Sequence, residues 1–531
     1  MQEASPGRAF GWRELAVLGS IAILGLVTIR YPFDGDQALF TIGAVKLHHG
    51  ALLYRDFWDL KQPGIYLFYM IAGTLFGFSD VGVNCFALLY LLAFAAVLQL
   101  ALRPYVRSTL GSAVAPLLIV GVYYAVATPY VLTQVEALIG VPLFLALWLC
   151  YAASRREGYA RLALLALAGI AGAAVVLLKL IDLVVLVAVW AAIFVTTREA
   201  WGRAAAARMA AVATLLAGLL LPLAGLWVAY APAIGAAVLY ETFILYPQRV
   251  VRELPAQSTS TLLRSARWFA DNFAGLLVLA SIGAAVDLRR RVHPVTAGLV
   301  AWFVAGVVMF LLQRDSWWLY QLTMLSVPIG ILATLGIEAI VARLMADARL
   351  QGRMTRPAIV LAVLTIFCST EAVKAAAKIH QLVGAHFAAT PAALQAYQFG
   401  IQPMYREAAQ ETAFLSGRGS LRGDIYVMGS PIYYLFARRS QAIALNGSSV
   451  QLWLRAQWDE LQNELGKARP PYVFVRNDFL ALMEQRSPRA LSFIERRYRR
   501  MRADAHGAWY GLRSSRPHAD APFNGRPAKK R

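Results

Sequence analysis

Charge is scarce in this chain. Of its 531 residues 15% are Asp, Glu, Lys or Arg and 59% are hydrophobic, with a mean hydropathy of +0.54. A soluble globular domain carries about a quarter charged residues, so the deficit excludes an ordinary soluble protein and points to a polytopic membrane protein. Acid is scarcer than base: 30 Asp+Glu against 51 Lys+Arg leave a formal charge of +21. The arginines fall in short runs between apolar stretches, which fits cytoplasmic links and attraction to anionic membrane lipid and leaves no nucleic-acid partner. Cysteine is nearly absent. Cys85, Cys150 and Cys368 all lie within apolar segments, which excludes a disulfide or zinc framework. No internal repeat of the transporter kind is visible.

What is present is a series of apolar runs. They lie at about 14–30, 81–102, 108–127, 136–153, 161–178, 180–197, 209–230, 270–288, 295–312, 318–341 and 357–374, and a span needs roughly 20 residues, so about eleven transmembrane helices are expected. The first run lacks a small-residue cleavage site and reads as a retained anchor. The links carrying Arg103 and Arg107, Arg155, Arg156 and Arg161, Arg198, Arg203 and Arg208, Arg289–Arg291, and Arg343, Arg349, Arg353 and Arg356 should be cytoplasmic. They agree with a cytoplasmic N-terminus (Arg8, Arg13) only if the shorter run Pro63–Phe78 does not cross and lies along the outer face as a juxtamembrane helix.

Residues 31–80 then form one large external loop that carries Asp34, Asp36, Asp56 and Asp59. Phe40, Ala44 and Leu47 recur at helical spacing before Gly50, so 36–49 reads as an amphipathic helix on the membrane surface. After about 375 short β-rich runs (DIYVM, YVFV) alternate with a helical stretch near 450–467. The expected organisation is a transmembrane domain over 1–374, an extracytoplasmic α/β domain over 375–504 and a basic disordered tail over 505–531, in a multi-pass protein of the inner membrane.

The first loop reads Asp36-Gln37-Ala38-Leu39-Phe40, then Gly50-Ala51-Leu52-Leu53-Tyr54-Arg55-Asp56, then Lys61-Gln62-Pro63, and a Gly-rich run, Gly169 to Lys179, ends in lysine. These motifs, with DIYVMGSPIYYLFARR in the terminal domain, resemble the polyprenyl-phosphate-sugar-dependent glycosyltransferases of the GT-C fold, in particular the protein mannosyltransferase, aminoarabinose transferase and RgtA/B/C/D-like branch. Two departures stand out: Gln37 where an acid is common, and Gln62 where the first of two prolines is common. The first argues against a metal site that needs that acid.

The resemblance implies transfer of a sugar from a polyprenyl-phosphate donor to an envelope glycan, lipid or protein acceptor at the outer face of the membrane. That chemistry needs a carboxylate to take the acceptor's proton and cations beside the departing phosphate. Asp36 matches the family's first-loop acid and is the expected base, whereas Asp34 with Gln37 resembles a capping box. Glu136 stands where the family places a second acid, although Thr133-Gln134-Val135-Glu136 is also a T-x-x-E capping box. Lys61 and Lys179 sit at the outer face against the positive-inside preference and are the expected phosphate contacts; snorkelling, or a Lys179–Asp182 pair, is the plain alternative. Arg249 and Arg252 in a later external loop are further phosphate candidates, as is Arg314, though the neighbouring Trp317 and Trp318 read better as interfacial anchors. Tyr54, Asp56 and Asp59 are expected to line the pocket or orient Lys61. A divalent cation held by Asp36 with His48 and His49 is left open, although adjacent helical histidines point about 100° apart. The alternatives are a transporter or flippase for a lipid-linked substrate, a scaffold whose terminal domain binds envelope partners, and an oligosaccharide ligase using a diphosphate-linked donor.

Overall fold

The structure is a computed structural model of the full chain and describes residues 11–106, 108–202, 204–289, 292–346, 355–386, 390–416 and 423–513. Arg8, Arg107, Arg203, Arg290, Arg291, Arg349, Arg353 and the tail beyond 513 lie outside the described residues.

Two compact units divide at Arg406/Glu407. Among the described residues of the first, seven helices are long and apolar enough to cross a membrane: Asp80–Leu102, Val135–Ala153, Gly158–Leu178, Ala205–Ile234, Thr259–Leu288, Pro294–Leu312 and Leu319–Met345. An eighth is formed if Arg356–Phe367 and Ser369–Gln381, bent by 88° at their junction, are one span. Other expected spans are present as shorter helices: Trp12–Thr28, the interrupted stretch Leu110–Val126, and Leu180–Thr196. The interruption has a local cause. Pro116 has no N–H to donate and its ring crowds the preceding turn, and the helix widens into a π-type turn over Leu117–Gly121.

Small residues let the spans approach closely. A Cβ on Gly169 would meet Leu215 O at 2.2 Å and one on Gly218 would meet Ala166 O at 2.2 Å, so the helices Gly158–Leu178 and Ala205–Ile234 touch backbone to backbone, as small residues permit in membranes. The boundary between the units falls beyond the expected 375 because the helices after it are tied into the first unit. Lys378 donates to Tyr31 Oη and to Ala127 O, Gln398 Nε2 donates to Asp80 Oδ2 at 2.9 Å, and Gln402 Nε2 donates to Asp34 Oδ1 at 3.0 Å.

The loop after the first span also departs from the surface helix expected of it. Its helix spans Gly35–His48, but Gln37 to Ala44 are all buried, on every side of the axis. The alternation of small and large apolar residues served packing within the protein and not the membrane surface.

The second unit carries a four-stranded mixed sheet of order β1-β2-β4-β3, with β1 Ile425–Met428, β2 Tyr472–Arg476, β3 Tyr498–Ala503 and β4 Gly507–Leu512. β1 and β2 are parallel, Ile425 facing Tyr472, and the helix Arg455–Ala468 lies in the crossover between them. β4 runs antiparallel to both β2 and β3. The outer strand β3 exposes Arg499, Arg500 and Arg502, a charged edge that discourages further strand pairing. β4 lies inside the stretch expected to begin the disordered tail at 505. Its Ala508, Trp509 and Tyr510 are buried; the flanking arginines and glycines masked a short strand whose apolar residues fill the sheet.

Candidate functional site

Asp36 lies in the first turn of the Gly35–His48 helix, where a negative charge meets the positive end of the helix dipole. Its Oδ2 accepts from Lys61 Nζ at 3.4 Å and from Tyr320 Oη at 3.2 Å. Gln37 holds the neighbouring backbone. Its Oε1 accepts from Asp34 N at 3.0 Å, and its Nε2 donates to Pro129 O at 2.6 Å and Leu132 O at 2.5 Å. An acid at this position could accept but could not donate to those carbonyls, which gives the departure from the family motif a structural reason: the amide fastens the 129–132 segment just ahead of Glu136.

Glu136 does not cap its own helix as the T-x-x-E spacing suggested. Gln134 stands at the cap, and Thr133 is held in a left-handed conformation (φ 55°) with its Oγ1 2.8 Å from Tyr69 Oη. The Glu136 side chain is thereby released to take Lys179 Nζ at 2.6 Å. Lys179 is the extended residue between the helix Gly158–Leu178 and the next turn. Asp182 follows in that turn, fully buried, without a hydrogen bond to either carboxylate oxygen among the described residues.

The two pairs share one electrostatic environment. Burial disfavours the Lys61 charge, but Asp36, Asp59 and Glu136 outweigh it and hold the ammonium above the ordinary lysine range. Lys61 Nζ also lies 5.1 Å from the centre of the Phe40 ring, a favourable placement for a cation. Asp59 is buried, accepts from Tyr66 Oη at 2.5 Å and from Leu60 N at 2.8 Å, and is pushed up by burial despite the nearby lysine. It fixes the turn that presents Lys61. Asp56 turns elsewhere: it accepts from Leu52 N and from the Arg55 guanidinium, each at 2.8 Å, and that guanidinium holds its carboxyl below the usual range.

Tyr54 also adopts a left-handed conformation (φ 70°), donates to Lys61 O at 2.9 Å and lines an apolar cavity of about 210 Å³. Gln62, Pro63, Leu177, Leu180, Trp227 and Phe243 are among its other walls. The two lysines thus immediately adjoin, in sequence, residues that line this cavity. What brings its two sides together is Gly64, where a Cβ would stand 2.5 Å from Leu177 O; only a residue without a side chain lets the start of the Pro63–Phe76 helix rest on the end of the Gly-rich span.

Arg249 and Arg252 are not bonded to this cluster among the described residues. Arg249 pairs with Glu241 at 2.7 Å and Arg252 is exposed on the same short helix Tyr246–Glu253; among the described residues neither has a hydrogen bond or ion pair to Asp36, Lys61, Glu136 or Lys179. His48 and His49 end the helix that Asp36 begins, about 18 Å away at 1.5 Å per residue, so these three cannot share a cation. Among the described residues no group of three metal-ligating side chains converges. Tyr320 was missed because it follows Trp317 and Trp318, whose pattern reads as an interfacial belt.

Neither a family model nor a curated protein matches this sequence. Solved structures do. The chain is similar to ArnT from Cupriavidus metallidurans bound to undecaprenyl phosphate, with 13% identity, 94% of this chain and 98% of that one covered, and a TM-score of 0.59. The same protein in its apo state gives 12% identity, coverage of 94% and 96%, and a TM-score of 0.60. The archaeal oligosaccharyltransferase AglB from Archaeoglobus fulgidus, in complex with an inhibitory peptide and a dolichol-phosphate, gives 11% identity, coverage of 89% and 70%, and a TM-score of 0.50. Agreement over nearly the whole length of this chain and of ArnT gives this chain the GT-C fold.

Proposed function

We propose that the chain is an integral membrane glycosyltransferase that moves a sugar from a polyprenyl phosphate to an envelope glycan, lipid or protein acceptor at the outer membrane face. The observation that carries this reading is that Lys61 and Lys179, each paired with a carboxylate, directly adjoin in sequence Gln62 and Leu180, which line one apolar cavity. A lipid phosphate needs an apolar trough for its chain and cations for its head, and a sugar transfer needs a base at the same place.

In the proposed reaction the donor phosphate lies against Lys61 and Lys179. The acceptor hydroxyl attacks the anomeric carbon and its proton passes to Asp36. The bond from that carbon to the phosphate oxygen breaks, and its electron pair stays on the phosphate, where the two ammonium groups stabilise the new charge. Tyr320 holds Asp36 in place, and Glu136 keeps Lys179 charged before the donor arrives. A flippase would need the lysines and the cavity but not a proton acceptor beside them. Purified protein incubated with a panel of polyprenyl-phosphate sugars and acceptor extracts should release polyprenyl phosphate, detected by mass spectrometry, in an acceptor-dependent way. Translocation of the donor without release would replace this reading with the flippase.

A further inference from the structure

The second unit holds a cluster of acids that the sugar-transfer reading does not use. Glu407 and Glu411 stand one turn apart on the helix Pro403–Ser416, in the part of it that belongs to this unit, so both face the same way. Against them lies the turn that joins β3 to β4. Its Asp504 accepts at Oδ1 from His506 N at 2.9 Å and Gly507 N at 3.3 Å, and at Oδ2 from Arg502 Nη2 at 3.3 Å.

Glu411 is 1% exposed, and its Oε2 accepts no hydrogen bond among the described residues. Its Oε1 lies 3.6 Å from Arg502 Nη2, too far for a hydrogen bond, and that guanidinium is closer to Asp504. A carboxylate buried in this way is costly to keep ionised. Asp504 is within hydrogen-bond reach of it, and two carboxyl groups bond to each other only when one carries a proton. The other groups nearby do not relieve Glu411. Glu407 adds negative charge; its own partners are Tyr433 Oη and, at 3.4 Å, His506 Nδ1, a cation only while protonated. Arg476 lies toward Tyr433 and pairs with Asp478 at 3.0 Å. Burial and the adjacent Asp504 push the Glu411 carboxyl up to about 8 against the pull of Arg502. Asp504 sits below the usual range: burial opposes this, but Glu411, the two backbone N–H groups and Arg502 outweigh it.

We infer that the β3–β4 turn is fastened to this helix by a proton shared between Glu411 and Asp504, and that the turn opens when the proton leaves. This is a pH-sensitive clasp within the second unit, and it is independent of the sugar-transfer reading. Its sign follows from the raised acid. In the open turn Glu411 returns to the ordinary glutamate value of about 4.3. The closed turn therefore binds one proton more than the open one from that value up to about 8, and closure weakens as pH rises through that window.

The test is hydrogen–deuterium exchange of the full chain in mild detergent, corrected for the intrinsic rate and read on peptides covering 498–512. Between pH 6 and pH 7 protection of the turn amides should fall about tenfold, while peptides over β1 keep theirs. Glu411→Gln donates to Asp504 at every pH and should hold the protection constant across this range. Asp504→Asn removes the same acid pair and should do likewise, which keeps the test open if the first variant folds poorly. His506→Gln should leave the tenfold fall in place and so separates the clasp from the imidazole. Protection independent of pH in the wild type, an equal fall over β1, a fall that persists in Glu411→Gln or Asp504→Asn, or its disappearance in His506→Gln would overturn the inference.

Discussion

The two ion pairs of the candidate site each join a carboxylate to a lysine but differ in length and exposure. Asp36–Lys61 is long, 3.4 Å, with 32% and 24% of the side-chain surfaces open; Glu136–Lys179 is short, 2.6 Å, with 5% and 15% open. A loose, partly wet pair exchanges partners at little cost. A short, buried one is costly to break from one side, because the remaining charge is left uncompensated. The first pair therefore suits a base and a cation that must turn to substrate. The second suits a cation held in one fixed position for the phosphate.

Four substitutions or conditions break or sharpen that contrast. The largest effect should come from Asp36→Asn, which keeps the hydrogen bonds to Lys61 and Tyr320 in place but cannot take a proton. Release of polyprenyl phosphate should fall about 100-fold or more with an unchanged melting temperature, and turnover near the wild-type rate would remove Asp36 from the mechanism. Next is Glu136→Ala, which strands the Lys179 ammonium and should destabilise the protein by about 3 kcal/mol. The double variant with Lys179→Met should recover most of that loss in detergent melts; no recovery would mean that the pair does not act as a unit.

Gln37→Glu should follow, at about 1–3 kcal/mol, because the acid cannot donate to the Pro129 and Leu132 carbonyls, and limited proteolysis should open the 129–132 segment. A fully stable variant would show that the segment is held by other contacts. The smallest effect concerns the loose pair. Lys61→Met should change stability by no more than about 1 kcal/mol at neutral pH even where activity is lost. The folded Lys61 titrates above its unfolded value of about 10.4, so the stability its charge contributes is complete below that value and disappears as pH rises through the folded one. Wild type and variant should then converge only in strongly alkaline buffer; convergence near neutrality would place the ammonium outside the influence of Asp36 and Asp59.

The sequence alone settled what depends on composition and on local spacing. Low charge and long apolar runs dictate a membrane bundle because desolvating charge is expensive and apolar surface must leave water. Acids beside the first span marked Asp36 as a residue needing a partner, and two lysines on the face expected to be external, which basic residues avoid, marked Lys61 and Lys179. Tertiary structure decided what no local pattern encodes. It turned Glu136 from a cap into the partner of Lys179 by giving Thr133 a left-handed backbone, and it made Gln37 the amide that fastens the 129–132 segment. It set Arg249 against Glu241 and brought Tyr320 from a distant span onto Asp36. These outcomes hinge on which backbones can approach, as at Gly64 against Leu177, and such proximity is a property of the folded chain and not of any stretch of it.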